Sequence, residues 1–371
     1  MELIKNTGTM AAKREAMPPP AARSTRNRGT STFAESVWRS REWRKTKEIT
    51  NCVSVLTFKL NHKQLVVMKV MRIKQNQDND PRPLEIRALS LLPDCNRILK
   101  PLHDERLPKN LMYGMAIFAH CPLGDLKEWK ESQFDEKRMK AVPESFMWRF
   151  FIHIAQALTC IHNELNPRRP VPAVIHRDIK PKNIMVVENG TTYPSFKLHD
   201  FGLAMTFDDG KTDRPAYCGT YEWQPPENPI INTRGADVWS LGACVHYLAT
   251  GMAPLGDYDD FRRARRQEMG GDPPSARVYS SVERYYTARV PREVTTINVP
   301  FRDLSDFDED RPARQYSDEL NDWMKTCLRH AESQRPTAKV LLEGMLPEAK
   351  SILKKMGGAS ALVDLEIVIG A

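Results

Sequence analysis

The sequence predicts an α+β chain in two unequal parts, a small β-rich part with one main helix followed by a larger, mainly helical part. Three observations carry this. Apolar residues Ile49, Val53, Val55, Leu56 and Phe58, then the run LVVMKVM at 65–71, flank a polar Asn61-His62-Lys63 turn, the pattern of a hairpin. The stretch FMWRFFIHIAQALTCIHNEL, within residues 144–165, repeats apolar residues at helical spacing. Beyond Gly235 helical spacing prevails.

The elements follow in order. Residues 1–32 contain three consecutive prolines at 18–20 and no periodicity, so they are expected to be a disordered basic arm. The β-rich part, with the connection that follows it, spans 33–122. After the breakers Pro81 and Pro83 a helix is expected from about residue 84 to 92, then a strand over 113–118. The helical part covers 123–350, with short strands near VIHRDIKPKNIMV at 174–187 and at 196–199. Residues 252–315, rich in charge, proline and tyrosine, are expected to be a long insertion with little regular structure. A tail, 351–371, closes the chain; its apolar end, SALVDLEIVIGA, is expected to pack on the body.

Composition narrows the class. The 371 residues are 41% hydrophobic and 27% charged, ordinary values for a globular protein with a large core. No run reaches the length of apolar residues that a membrane-spanning helix requires, and no secretory leader is expected at the N-terminus. Residues 1–50 hold +6 of the net charge of +8. That arm would suit nucleic acid or anionic lipid, but a solvated tail is the simpler expectation. The seven cysteines are scattered and form no C-x-x-C pair, which reads as reduced thiols in an intracellular protein, cytoplasmic or nuclear. The sequence sets no oligomeric state.

Between two β-branched runs, VIHRDIKPKNIMV concentrates His176, Arg177, Asp178, Lys180, Lys182 and Asn183. A loop that handles a proton, a phosphate and a metal needs this mixture. HRDIKPKN at 176–183, DFG at 200–202 and PPE at 225–227 resemble the catalytic loop, metal loop and activation-segment end of eukaryotic protein kinases. VVMK at 66–69, DVWSLG at 237–242 and QRPTA at 334–338 extend the resemblance, in the family's order, over roughly residues 45–345.

The resemblance implies a bilobal protein-kinase-like fold and ATP with Mg²⁺ as cofactors. It implies Asp178 as the carboxylate that takes the acceptor proton, Lys180 beside the transferred phosphate, and Asn183 and Asp200 as metal ligands. Lys69 would hold the α- and β-phosphates and pair with Glu85. The hinge for adenine falls at Ala119-His120-Cys121, with Phe118 as gatekeeper behind it. Glu227 and Arg335 would form an ion pair bracing the large lobe, and Asp237 would hold the catalytic loop from below. Lys180 and Gly219-Thr220 resemble serine/threonine rather than tyrosine kinases, so the partner implied is a protein with a Ser/Thr acceptor. Arg177 before Asp178 suggests an activation segment ordered by phosphate on Thr212, or by Asp208, Asp209 or Asp213.

The chain departs from the family in two places. Where a Gly-rich loop should cover ATP, KEITNC at 47–52 has no glycine, so backbone N–H groups should approach the phosphates less closely. Val67 also replaces a small alanine over the adenine. The alternative reading is therefore a pseudokinase acting as a binding or scaffold protein. The third is a small-molecule phosphotransferase with a related core, which PPE, Asp237 and Arg335 argue against.

Overall fold

The computed structural model describes residues 40–74, 80–135, 141–165, 171–207, 217–227, 233–273, 278–299 and 315–370. The expected arm at 1–32, together with Thr212, Asp208, Asp209 and Asp213, lies outside them.

The first part is a five-stranded antiparallel sheet in the order β1-β2-β3-β5-β4. Its strands are β1 (Trp43–Thr50), β2 (Val53–Phe58), β3 (Leu65–Arg72), β4 (His103–Arg106) and β5 (Tyr113–Ala119). The Asn61-His62-Lys63 turn joins β2 to β3 as expected, with Leu56 opposite Val66 and Val55 opposite Val67. β3 is the central strand, and its register sets Lys69 between Val53 and Ala116. Helix α1 (Leu84–Leu91) starts after Pro83, whose fixed φ suits the approach to a helix start. It buries Ile86, Ala88 and Leu89, and also the carboxylate of Glu85.

The second part is built on α3 (Glu144–Ile161) and α4 (Arg234–Thr250). α3 is buried almost all round, with Trp148, Phe150 and Phe151 inaccessible to solvent. Each such side chain is worth roughly 1.5–3 kcal/mol of burial. Thr233 caps α4 by accepting from Ala236 N–H at 3.1 Å, and Gly251 ends the helix at φ 82°, a left-handed conformation that glycine adopts at no steric cost. α7 (Asp318–Cys327) and α8 (Ala338–Gly357) pack around this pair. α2 (Leu126–Lys130) opens with a capping box between Asp125 and Glu128. Short strands β6 (Ala173–Ile175), β7 (Ile184–Val187), β8 (Ser195–Leu198) and β9 (Met205–Phe207) pair as β6–β9 and β7–β8, and the polar residues 176–183 lie between β6 and β7.

Two expectations need correction. Little regular structure is expected over 252–315, but among the described residues of that stretch α5 (Tyr258–Met269) and α6 (Val282–Arg289) are helical. Asp257 and Ser281 cap their first turns. α5 buries no residue fully, so no apolar stripe marked it, and α6 is held by a cluster of Tyr221, Tyr279, Tyr285 and Tyr286 rather than by aliphatic residues. Near the chain end, α8 runs past residue 350 to Gly357, and the segment after it packs with Ala361 and Leu365 buried.

Candidate active site

Lys69 projects from β3 to two carboxylates. Its Nζ lies 2.6 Å from Glu85 Oε2 and 2.7 Å from Asp200 Oδ1. Burial disfavours the ammonium, but the two carboxylates outweigh it and hold Lys69 above the usual lysine range. Asp200 is lowered: burial opposes its charge, and the Lys69 charge and hydrogen bond overcome that. Asp200 itself sits at φ 62°, a left-handed backbone that an aspartate tolerates better than most residues. Immediately after it, Phe201 is fully buried and meets the His176 ring edge-on at 4.8 Å.

The second half of the site is a ring of hydrogen bonds around Asp178. Lys180 Nζ donates to Asp178 Oδ2 and to Thr220 Oγ1, both at 2.8 Å. The Thr220 hydroxyl donates to Asp178 Oδ1 at 2.7 Å. Asn183 Nδ2 donates to the Asp178 carbonyl at 2.7 Å and to its Oδ2 at 3.0 Å. The carboxylate is therefore fixed from both oxygens. Thr220 is brought here by Gly219 at φ 82°, where a Cβ would come within 2.5 Å of the Arg177 carbonyl. No side chain larger than hydrogen fits.

The loop carrying Asp178 is held from beneath by Asp237 on α4. Asp237 accepts from the backbone N–H of His176 at 2.8 Å and of Arg177 at 3.0 Å, and pairs with His162 Nε2 at 3.0 Å. These bonds hold Arg177 at φ 71°. The Arg177 side chain reaches Met205 Sδ at 3.3 Å and the Cys218 thiol. Arg335 pairs with Glu227 and lies over the Trp239 ring.

At the sheet end of the site, Val67 lies opposite Phe118 and Val66 opposite Ala119. Cys121 follows, with its carbonyl accepting from Gly124 N–H at 3.1 Å and its thiol pushed up by burial. His120 is lowered by burial and by the nearby Lys47 charge. The glycine-free tip between β1 and β2 is stabilised by Thr50, whose hydroxyl accepts from Cys52 N–H at 3.3 Å and Val53 N–H at 3.1 Å. Neither Asn51 nor Cys52 takes a positive φ, so the turn has no need of glycine.

The donor set fits ATP-bound Mg²⁺. Asn183 commits its nitrogen to Asp178, which leaves its amide oxygen for a cation, and Asp200 commits one oxygen of two to Lys69. These are hard oxygen ligands, two in number, as Mg²⁺ takes when phosphates and waters complete its shell. Among the described residues no group of three or more His, Cys, Asp or Glu forms an all-protein metal cage.

The structure thus brings together Lys69, Glu85 and Asp200 in one cluster and Asp178, Lys180 and Asn183 in another. Phe118, Ala119 and Cys121 line the sheet end. The contacts of Thr220, the cap by Thr50 and the anchor of His162 on Asp237 were missed in the sequence. Gly219-Thr220 ahead of PPE was the available signal for the first.

A family profile for the protein kinase domain matches residues 51–345. The chain is 26% identical over 209 residues to mitogen-activated protein kinase kinase 2 of Arabidopsis thaliana, covering 56% of this chain and 47% of that one. It is 29% identical over 175 residues to a probable serine/threonine-protein kinase nek2 of Dictyostelium discoideum, covering 47% and 38%. Over 124 residues it is 34% identical to a mitogen-activated protein kinase kinase kinase of Drosophila melanogaster, covering 32% and 10%. The matched stretches span less than half of these relatives' lengths. With most of the chain inside the family profile and the site geometry in place, the chain belongs to the eukaryotic protein kinase family.

Proposed function

We propose that the chain is an active, ATP-dependent protein kinase that transfers the γ-phosphate of Mg-ATP to Ser/Thr hydroxyls of protein substrates. The observation that carries this is Lys69 Nζ within 2.7 Å of both Glu85 and Asp200, beside an Asp178 carboxylate held by Lys180, Thr220 and Asn183.

Each residue has a role that its position supports. Lys69, held by Glu85, offers its ammonium to the nucleotide phosphates. Asp200 and Asn183 present oxygens to the metal, which when bound neutralises phosphate charge. Asp178 orients the acceptor hydroxyl and takes its proton. Lys180, fixed between Asp178 and Thr220, offsets charge on the transferred group. Phe118, Ala119 and Cys121 form the adenine edge.

Supporting a protein acceptor, a groove of about 1460 Å³ opens beside Lys180, Lys182 and Thr220 and runs to Met252 and Gly256. That is ample for an extended peptide. Seven free thiols support an intracellular location, cytoplasmic or nuclear. Among the described residues no helix is long and apolar enough to cross a membrane.

One observation favours a pseudokinase instead. Thr50 occupies two N–H groups at the tip that would otherwise face the phosphates. Against it, an inert scaffold has no use for a carboxylate fixed on both oxygens beside Asn183 and Asp200, each of which keeps an oxygen for a metal. Incubation with labelled ATP and Mg²⁺, offering a generic protein and small hydroxyl compounds in parallel, tests the reading. Transfer to protein Ser/Thr is expected. Transfer to small acceptors alone overturns it, and so does a folded protein that binds no Mg-ATP.

A further inference from the structure

Two segments of the chain deliver the carboxylates that flank Lys69. One leaves α1, which carries Glu85, and passes through residues 94–99. The other is β8, which runs into His199 and Asp200. They are joined along their backbones: Leu198 N–H donates to the Arg97 carbonyl and Leu99 N–H to the Leu198 carbonyl, each at 2.9 Å.

Asp364, far along the chain, clamps the same two segments. Its Oδ1 accepts from Asn96 Nδ2 at 3.1 Å. Its Oδ2 accepts from Arg97 Nη1 at 2.9 Å and from Ser195, the first residue of β8, at 2.5 Å. Burial opposes the carboxylate charge, but the bonds from Ser195, Arg97 and Asn96 hold its pKa below the ordinary value. Asp364 adopts φ 52°, a left-handed backbone that costs energy in any residue with a side chain.

The rest of residues 361–370 is held by polar groups. Arg97 Nη2 donates to the carbonyls of Asp364 at 2.6 Å and Glu366 at 2.8 Å. From α3, Arg149 donates to the carbonyls of Ala361 and Val363 at 2.7 and 2.8 Å, and Gln156 to that of Leu365 at 2.8 Å. His153 accepts from Phe196 N–H at Nδ1, so its Nε2–H is the donor to the Asp364 carbonyl at 3.0 Å. Beyond, Val368 N–H reaches Asn96 Oδ1 at 2.9 Å and Gly370 N–H the Asp94 carbonyl at 2.8 Å. Val368 and Ile369 are exposed while Ala361 and Leu365 are buried in the core, so polar bonds and apolar burial together hold this segment. Arg97 and Arg149 are fully buried; Arg97 bonds through all three guanidinium nitrogens to Gln156, Asp364 and Glu366, and Arg149 through Nε and Nη1 to the carbonyls of Pro194, Ala361 and Val363.

We propose that Asp364 is a positioning residue for the phosphotransfer site. Through it, residues 361–370 act as a strap that sets β8 against the segment following α1, and so sets Asp200 against Glu85 on either side of Lys69. The kinetic consequence rests on the proposed kinase activity; the positional consequence does not.

The test uses the full chain with Asp364→Ala, Asp364→Asn and Asp364→Glu. Transfer turnover should fall about 10- to 100-fold in the Ala and Asn variants, as a small misplacement of catalytic groups does. KM for the protein acceptor should stay unchanged, because the peptide groove lies on other elements, and Asp364→Glu should recover part of the loss. Hydrogen exchange at the Leu99 and Leu198 amides should quicken, while the His176 and Arg177 amides, anchored separately on Asp237, stay protected. Unchanged turnover and unchanged Leu99 and Leu198 protection in a folded Asp364→Ala protein would overturn the assignment. So would a loss of protection spread evenly over the chain with KM rising alongside. Should Asp364→Ala fail to fold, Ser195→Ala decides: it removes one clamp bond, leaves Arg97 paired, and should still lower turnover and Leu198 protection; no change in either overturns the role. If the unaltered protein transfers no phosphate, the kinase reading fails, and exchange at Leu99 and Leu198 still decides the strap.

Discussion

The Thr220 hydroxyl donates to Asp178 Oδ1 across 2.7 Å, so a residue of the activation segment completes the shell of the proposed proton acceptor. The same hydroxyl accepts from Lys180, which ties the order of that segment to the alignment of both groups. Thr220→Val keeps the shape and removes both bonds. Turnover should fall at least about tenfold, and Thr220→Ser should keep most activity. Steady-state transfer kinetics on the two variants check this; equal rates for Val and Ser would contradict it.

Asp237 satisfies two buried backbone N–H groups beneath the catalytic loop and holds Arg177 in a left-handed conformation. Asp237→Ala leaves those donors unpaired, at about 1–3 kcal/mol each. Urea denaturation should show a loss of about 2–6 kcal/mol. A change below about 0.5 kcal/mol, the range of ordinary surface substitutions, would mean the loop is held by other means.

Stability should fall on the acid side of neutrality. Burial pushes His246 down to about 4, and its Nε2 accepts from Thr295 N–H at 3.1 Å, a bond that protonation abolishes. His153 is likewise lowered by burial, with the Arg97 and Arg149 charges adding to the effect. A histidine depressed in the fold takes up its proton first in the unfolded chain, so its contribution is complete above about pH 6.5 and declines as pH drops toward the folded value. At about pH 5, His246 alone should cost roughly 2 kcal/mol relative to pH 7.5. Denaturation midpoints across this range should shift downward, and less so in His246→Gln.

The capped tip makes a prediction of its own. Thr50→Ala frees the N–H groups of Cys52 and Val53. Mg-ATP should then bind about two- to tenfold more tightly, the net worth of a single hydrogen bond. Calorimetric titration measures it directly; weaker binding would show that the Thr50 cap shapes the tip for nucleotide rather than competing with it.

Much of the fold and of the candidate site is legible in the amino-acid sequence alone. The β2–β3 turn stood out as a polar break between apolar strands, and α1, β5 and α3 stood out as apolar runs; β5 and α3 are buried on nearly every side. The residues at 176–183 and 200–202 stood out because proton, phosphate and metal chemistry demands unusual neighbours. α5 was invisible for the opposite reason: it is a capped, charged helix that buries no residue fully, and its first-turn cap at Asp257 is a signal common to many turns. The Asp364 clamp joins residues more than 160 positions apart, so no local spacing announces it. Thr50 shows a third kind of blindness. A missing glycine marked the place, but only geometry shows which group took over the N–H atoms.

The measurement to make first is Mg²⁺-dependent transfer of labelled phosphate from ATP to a protein acceptor by the unaltered chain and by Asp178→Ala. Transfer that falls by about 10²-fold or more in the variant, with Mg-ATP still raising the melting temperature of both proteins, is the expected result. Equal transfer by the two proteins, or none by the unaltered chain while it is folded and bound to Mg-ATP, would contradict a catalytic Asp178.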